Sequence, residues 1–228
     1  MITFAPSDRP VPHLEALATD IKDAVFQYRN RRYEIDRFLR HSKNTIATYQ
    51  AHYDRWSRKY MLKNTPSDER EFAVLLGRIG TECTSDEEWQ KLRGIIAEKL
   101  FEPYFKEKHL GSDMGFGVKV LINGVPVIYQ PSTQTTTDKR RQSVDAGAWD
   151  TKNGEFVEVK FNPEIFEEKD INYLKHLEQQ LEANSVSHTI LVVSFSDPIV
   201  TKNELIAKKL VNKDSNFVII GPDEFLPY

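Results

Sequence analysis

The chain has 228 residues, 39% of them hydrophobic, 11% aromatic and 29% charged, with a formal net charge of −3 at pH 7; such a composition excludes collagen-like, mucin-like and wholly disordered chains. No run approaches the roughly 18 uncharged apolar residues of a membrane helix, and the start Met1-Ile2-Thr3-Phe4-Ala5-Pro6 lacks the basic and apolar regions of a signal peptide, so a cytoplasmic protein with no membrane contact is expected. The single cysteine, Cys83, excludes an internal disulfide and any multi-thiolate metal site, leaving oxygen or imidazole to hold a metal.

The chain opens on helical periodicity. Leu14, Leu17, Ile21 and Val25 form one apolar stripe, and Ile46, Tyr49, Tyr53, Trp56 and Tyr60 a second. Phe72, Leu75, Leu76 and Ile79 form a third, which Gly80 to Thr84 is expected to end. Between Tyr28 and Lys63 ten Lys or Arg residues face only Glu34, Asp36 and Asp54, a net +7, so the rest of the chain carries −10. A basic segment joined to an acidic remainder suits nucleic-acid contact, and it equally suits two oppositely charged surfaces packing together. Residues 1–82 are read as a helical N-terminal region serving one of those ends, DNA contact or dimerisation, and residues 83–228 as a second domain.

Ser85 followed by Glu88 is a capping-box pattern, opening a helix through Trp89, Leu92, Ile96, Leu100 and Tyr104 to about Lys108. After Gly111 the pattern changes to strands over 115–122 and 125–130 around Asn123-Gly124, with Pro126 marking an edge. Residues 131–143 are polar and contain Lys139-Arg140-Arg141, which reads as a mobile basic loop. Strands over 144–150 and 155–161 follow, then a helix from Asn162-Pro163 with Ile171, Leu174, Leu177 and Leu181 inward, a buried strand at 189–193, a helix over about 202–211 and a strand over 217–220. The order αβββαβαβ is that of an α/β domain with a mixed sheet.

The chemistry concentrates in the second hairpin, over 144–161. With Asn153-Gly154 as turn residues, opposed residues place Glu158 across from Trp149, Lys160 across from Gly147 and Asp145 across from Asn162, so Asp145, Glu158 and Lys160 share one face. Charged groups there are costly to bury unless paired or bound to a metal. The two carboxylates supply hard oxygen ligands for Mg²⁺, and Gly147 leaves room for substrate or water beside Lys160. A second Glu-x-Lys string, Glu167-Glu168-Lys169, falls on a helix and reads as a solvated face.

Asp145 at the start of one strand, Glu158-Val159-Lys160 on the next, and helices before and after resemble the PD-(D/E)xK nuclease superfamily, the restriction-endonuclease-like fold. The likeness covers residues 85–221 in layout and about twenty in sequence, with Val144 where many members have proline before the aspartate. It implies an α/β, restriction-endonuclease-like αβββαβ core and an Mg²⁺- or Mn²⁺-dependent phosphodiesterase acting on DNA. Asp145, Glu158 and the Val159 carbonyl would ligate the metal, Lys160 would assist the attacking water, and Glu98 of Gly94-Ile95-Ile96-Ala97-Glu98 would be an auxiliary ligand, with Glu102 as its competitor. Lys139, Arg140 and Arg141, with Gln180 on the following helix, are expected on the substrate. The resemblance further implies a homodimer and a setting in restriction, anti-phage defence or repair. An RNA-cleaving enzyme and a non-catalytic nucleic-acid-binding protein of the same fold are the alternatives.

Overall fold

A computed structural model describes residues 1–7, 11–27, 31, 34–35, 38–39, 45–60, 62 and 64–226. The chain divides into two compact units, Met1–Arg9 with Glu102–Phe225, and Pro10–Phe101 with Leu226–Tyr228. Helix α4 (Asp86–Lys108) contributes to both.

The first unit is α/β. A mixed, open, seven-stranded sheet has the order β1 (Ile2–Pro6), β2 (Asp113–Ile122), β4 (Val144–Trp149), β5 (Asn153–Lys160), β6 (Ser187–Ser194) and β7 (Val218–Ile220), with β3 (Val125–Pro126) paired to β2. Pairings from β1 to β5 are antiparallel, while β5, β6 and β7 run parallel. Parallel strands require crossovers. Helix α5 (Glu168–Ala183) makes the first, and α6 (Pro198–Ala207) lies between β6 and β7. One face buries Phe156, Ile190 and Val192 with Tyr173, Leu174, Leu177 and Leu181 of α5. On the other, Phe105 near the end of α4 meets Phe116 of β2, ring centroids 5.9 Å apart.

Several expectations are corrected here. The first residues are not helical: β1 pairs along β2 from Ile2↔Ile122 to Pro6↔Val118, so the sheet unit begins at the N-terminus rather than at residue 83. The strand read over 125–130 is two residues long, followed by a single bridge from Tyr129 to Arg141. The helix read from Asn162-Pro163 is a 3₁₀ turn (Pro163–Ile165), and α5 starts later, where Glu167 and Asp170 cap each other's backbone N–H groups. The helix before β7 begins at Pro198 because Asp197 accepts from the N–H groups of Ile199 and Val200.

The second unit contains α1 (Pro12–Gln27), α2 (Ile46–Ser57), α3 (Ser67–Glu82) and the first part of α4. Leu14, Leu17, Ile21 and Val25 are buried, as are Phe72, Leu76 and Ile79. Tyr49 is buried against Trp89 and donates to the Leu76 carbonyl at 2.7 Å. Helix α3 ends at Glu82, within the stretch Gly80 to Thr84 expected to stop it; side-chain atoms of Tyr53 and Gln50 lie 2.6 and 1.9 Å from where a Cβ would stand on Gly77 and Gly80, so both glycines serve close helix packing. The Ser85 hydroxyl accepts from the Glu88 N–H, while the Glu88 carboxylate reaches back to Thr84 rather than to Ser85.

Of the basic stretch, Tyr28, Arg29, Arg32, Tyr33, Arg37, Arg40, Lys43 and Lys63 lie outside the described residues. Arg31 turns inward, over the Phe72 ring and onto the carbonyls of Ala24 and Asp68. No described helix is long and apolar enough to cross a membrane.

Candidate active site: a buried carboxylate and cation cluster

The turn between β4 and β5 sets the geometry. Asp150 Oδ1 accepts from the N–H groups of Lys152 and Asn153, and Thr151 takes a left-handed φ of 77°. The hairpin therefore turns on Thr151-Lys152, not Asn153-Gly154, because the Asp150 carboxylate organises the earlier dipeptide. Every pairing slips accordingly: Trp149 faces Gly154, Gly147 faces Phe156 and Ala146 faces Val157. The slip is two residues along each strand, so the side-chain faces expected from the sequence survive while the expected partners do not. Continued by one step, this register sets Asp145 directly across from Glu158. Gly147 is not beside Lys160. A Cβ there would stand 2.5 Å from the Phe4 ring, so its smallness admits an aromatic side chain rather than substrate.

Beyond Ala146↔Val157 the backbone ladder between β4 and β5 gives way, and Asp145 Oδ2 accepts from the Val159 N–H at 2.7 Å. On its other side Asp145 faces Gly117, which has a left-handed φ of 56° between the paired Phe116 and Val118 and sets no side chain beside the carboxylate. Lys160 bonds to Glu158 Oε1 and lies 3.8 Å from Asp145 Oδ2. The three residues read from the sequence thus meet on one face. Glu158 is wholly buried, and Lys160 keeps about a fifth of its side chain exposed.

Two further residues complete the cluster. Arg141 is not a solvated loop residue: its backbone bridges to Tyr129 in both directions, and its Nε donates to the Ser143 carbonyl at 3.2 Å. Nη2 donates to Glu158 Oε2 at 2.6 Å and lies 3.6 Å from Asp145 Oδ1, while Nη1 bonds to Asp170 Oδ1. Asp170, in the first turn of α5, also accepts from the Glu167 N–H at 2.9 Å. The basic loop itself is tied down, the Thr137 carbonyl accepting from the Lys169 N–H and the Thr137 hydroxyl donating to Glu168. Its hydroxylated residues carried that signal; nothing local marks Arg141 or Asp170 as partners.

Three carboxylates therefore share two cations, so that with all three ionised one negative charge is in excess. Burial pushes the Glu158 carboxyl up to about 7, with Asp145 and Asp170 adding to the shift and Arg141 and Lys160 opposing it. For Lys160, burial alone would favour the neutral amine, but Glu158, Asp145 and Asp170 hold it well above its ordinary range as an ammonium. Burial would also raise Asp170, but Lys160, Arg141 and the Glu167 N–H keep it below the usual carboxylate value. The Tyr173 hydroxyl, one turn from Asp170, is buried with no hydrogen-bond partner among the described residues. Burial raises its pKa, Arg141 and Glu158 acting on it in opposite senses.

Lys139 and Arg140 are exposed, on the approach to Arg141. Gln180 is exposed in a groove with His176, Asn123 and Val125, and ten residues of helix separate it from Asp170, about 15 Å, so it is not part of this cluster. Glu98 belongs to the portion of α4 in the second unit, whereas the cluster is built wholly from the first. Glu102 is paired with Lys106.

As donors, two carboxylates and a neighbouring peptide carbonyl are hard oxygen ligands of the kind Mg²⁺ and Mn²⁺ take, and the excess negative charge favours a cation. Among the described residues no group of three or more His, Cys, Asp and Glu side chains is arranged to hold a metal ion, so the fit rests on Asp145 and Glu158 with backbone and water. The chain matches no protein-family model and no curated protein.

Proposed function

We propose that the protein is a divalent-metal-dependent nuclease of the PD-(D/E)xK type, hydrolysing DNA phosphodiester bonds. The observation that carries this reading is the meeting of Asp145, Glu158 and Lys160 on one face where the β4–β5 ladder gives way. Asp145, Glu158 and the Val159 carbonyl would hold Mg²⁺ or Mn²⁺, which when bound supplies charge stabilisation at phosphorus and a water of lowered pKa. Val159 donates its N–H to Asp145, fixing the carboxylate's orientation. Lys160, a partly exposed ammonium, neutralises charge accumulating on the phosphate oxygens. Lys139 and Arg140 offer exposed cations to the phosphate backbone, which make no sequence-specific demand.

The test is plasmid, single-stranded DNA and RNA incubated with protein and Mg²⁺ or Mn²⁺. Wild type should cut DNA, and Glu158→Gln, Asp145→Asn and Lys160→Met should each lose on the order of 100-fold or more while remaining folded by circular dichroism. Cleavage confined to RNA would move the substrate. Unimpaired nucleic-acid binding with no cleavage under any divalent metal would replace the enzyme by the second reading, a non-catalytic binding protein. One observation favours that second reading: in the cluster both carboxylates already have cationic partners in Arg141 and Lys160.

A further inference from the structure

Arg141 plays no part in the reaction as outlined, yet it makes the densest set of bonds in the cluster. Its Nη2 contacts Glu158 Oε2 at 2.6 Å and approaches Asp145 Oδ1 at 3.6 Å, the two side chains assigned above as metal ligands. A guanidinium in that place and a dication drawing on the same oxygens repel each other and compete for the same lone pairs. The other contacts of Arg141 involve different atoms: Nη1 on Asp170, Nε on the Ser143 carbonyl, and the backbone bridge to Tyr129. Losing the Nη2 contacts therefore leaves the residue anchored at three points. The unpartnered Tyr173 hydroxyl, close enough to feel the charges of Arg141 and Glu158, is an acceptor not yet used.

We infer that Arg141 is a built-in stand-in for the metal: it holds the Asp145 and Glu158 carboxylates together while no divalent ion is bound, gives up those two contacts when one binds, and remains tethered by Asp170. The inference rests on the metal-site reading and adds to it a competition between a side chain and the ion. It gives the Asp170 contact a purpose, that of keeping Arg141 in place when its other carboxylate partners are taken by the ion. Asp170 is then a positioning residue, acting on the ligands only through Arg141.

Manganese binding to the full chain, followed by calorimetry and by the electron-paramagnetic signal of free Mn²⁺, tests this without reference to cleavage. Arg141→Gln should bind Mn²⁺ tighter than wild type by on the order of tenfold or more, because no cation has to be displaced. Its melting temperature should also rise more on metal addition. Arg141→Lys, a point charge unable to bridge two carboxylates, should fall between them and serves if the glutamine variant does not fold. In wild type with ¹⁵N-labelled arginine, the Arg141 Nε–H resonance should move on titration with diamagnetic Mg²⁺. Equal or weaker Mn²⁺ binding by the variants, with wild type binding and cutting, overturns the competition alone. Failure of folded wild type and both variants to bind Mn²⁺ overturns the metal site and the competition together.

Discussion

Strand β5 carries two buried glutamates three residues apart, and strand alternation sends them to opposite faces of the sheet. Glu155 meets Lys108 at 2.7 and 2.9 Å and His109 at 3.0 Å, the last residue of α4 and the one after it, and Lys108 keeps 40% of its side chain exposed. Glu158 meets Arg141 and Lys160 with no exposure at all, and two other carboxylates lie in the same cluster. Around Glu155 basic groups outnumber carboxylates; around Glu158 the balance is reversed. An ion pair that only supports a fold has no use for a surplus of buried like charge, which costs free energy unless a proton or a further cation relieves it. The contrast within eight residues of one strand supports the proposal that places the site at the second cluster.

Truncation should separate the two most sharply. Glu158→Ala leaves Arg141 and Lys160 in a buried setting short of their closest partner and should cost about 3–5 kcal/mol. Glu155→Ala removes contacts to a lysine that water already screens and should cost about 1 kcal/mol. Urea denaturation of both variants measures the difference, and equal losses would erase the distinction between a rim ion pair and a buried site.

Acidity sharpens the comparison next. The folded Glu158 carboxyl, raised to about 7 by burial, holds its proton more tightly than the unfolded chain does, with its ordinary value of 4.5. The folded state therefore binds more protons between those values, and stability falls as pH rises through them. Asp170 has the opposite sign: its folded value is depressed, so its contribution is present above the unfolded carboxylate range and is lost as pH falls through the folded value. In EDTA, Glu158→Gln should flatten the decline in unfolding free energy from about pH 4.5 to about pH 7, and Asp170→Asn the decline on the acid side. Parallel profiles for wild type and Glu158→Gln would mean that the two cations already offset the burial of Glu158.

How far the sequence reached follows from which interactions are local. Strand alternation is a local property, so the shared face of Asp145, Glu158 and Lys160 could be read from spacing, and it survived a misplaced turn because slipping two residues on each strand preserves parity. The partner of each residue could not be read, since it depended on which dipeptide the Asp150 carboxylate would organise. Apolar stripes announced α1, α3 and α5 because burial of one helical face repeats along the chain. The strand at the N-terminus was missed because five residues, ending in proline, carry too little periodicity to outweigh the helical pattern beside them. Arg141 looked like any cation of a polar loop. Its role depends on a backbone bridge to Tyr129 and on Asp170, 29 residues further on, and no spacing rule joins those positions.

The turn that set the register offers the smallest effect and the finest test of what holds the two glutamates on their faces. Thr151 sits at φ 77°, where a β-branched residue is strained by roughly 1–2 kcal/mol and glycine is not. Glycine also gives the unfolded chain more freedom, which takes back part of that gain. Thr151→Gly should therefore stabilise the protein by only about 0.5 kcal/mol, read as a small upward shift of the urea midpoint with an unchanged slope. The pairing of Gly147 with Phe156 should persist, because the Asp150 carboxylate still organises the turn and slipping β5 by a single residue would turn Phe156 out of the α5-side core and exchange the faces of Glu155 and Glu158. A loss of stability in Thr151→Gly, or new cross-strand contacts in its amide NMR spectrum, would mean that the threonine itself selects the register, and with it the placement of Glu155 and Glu158.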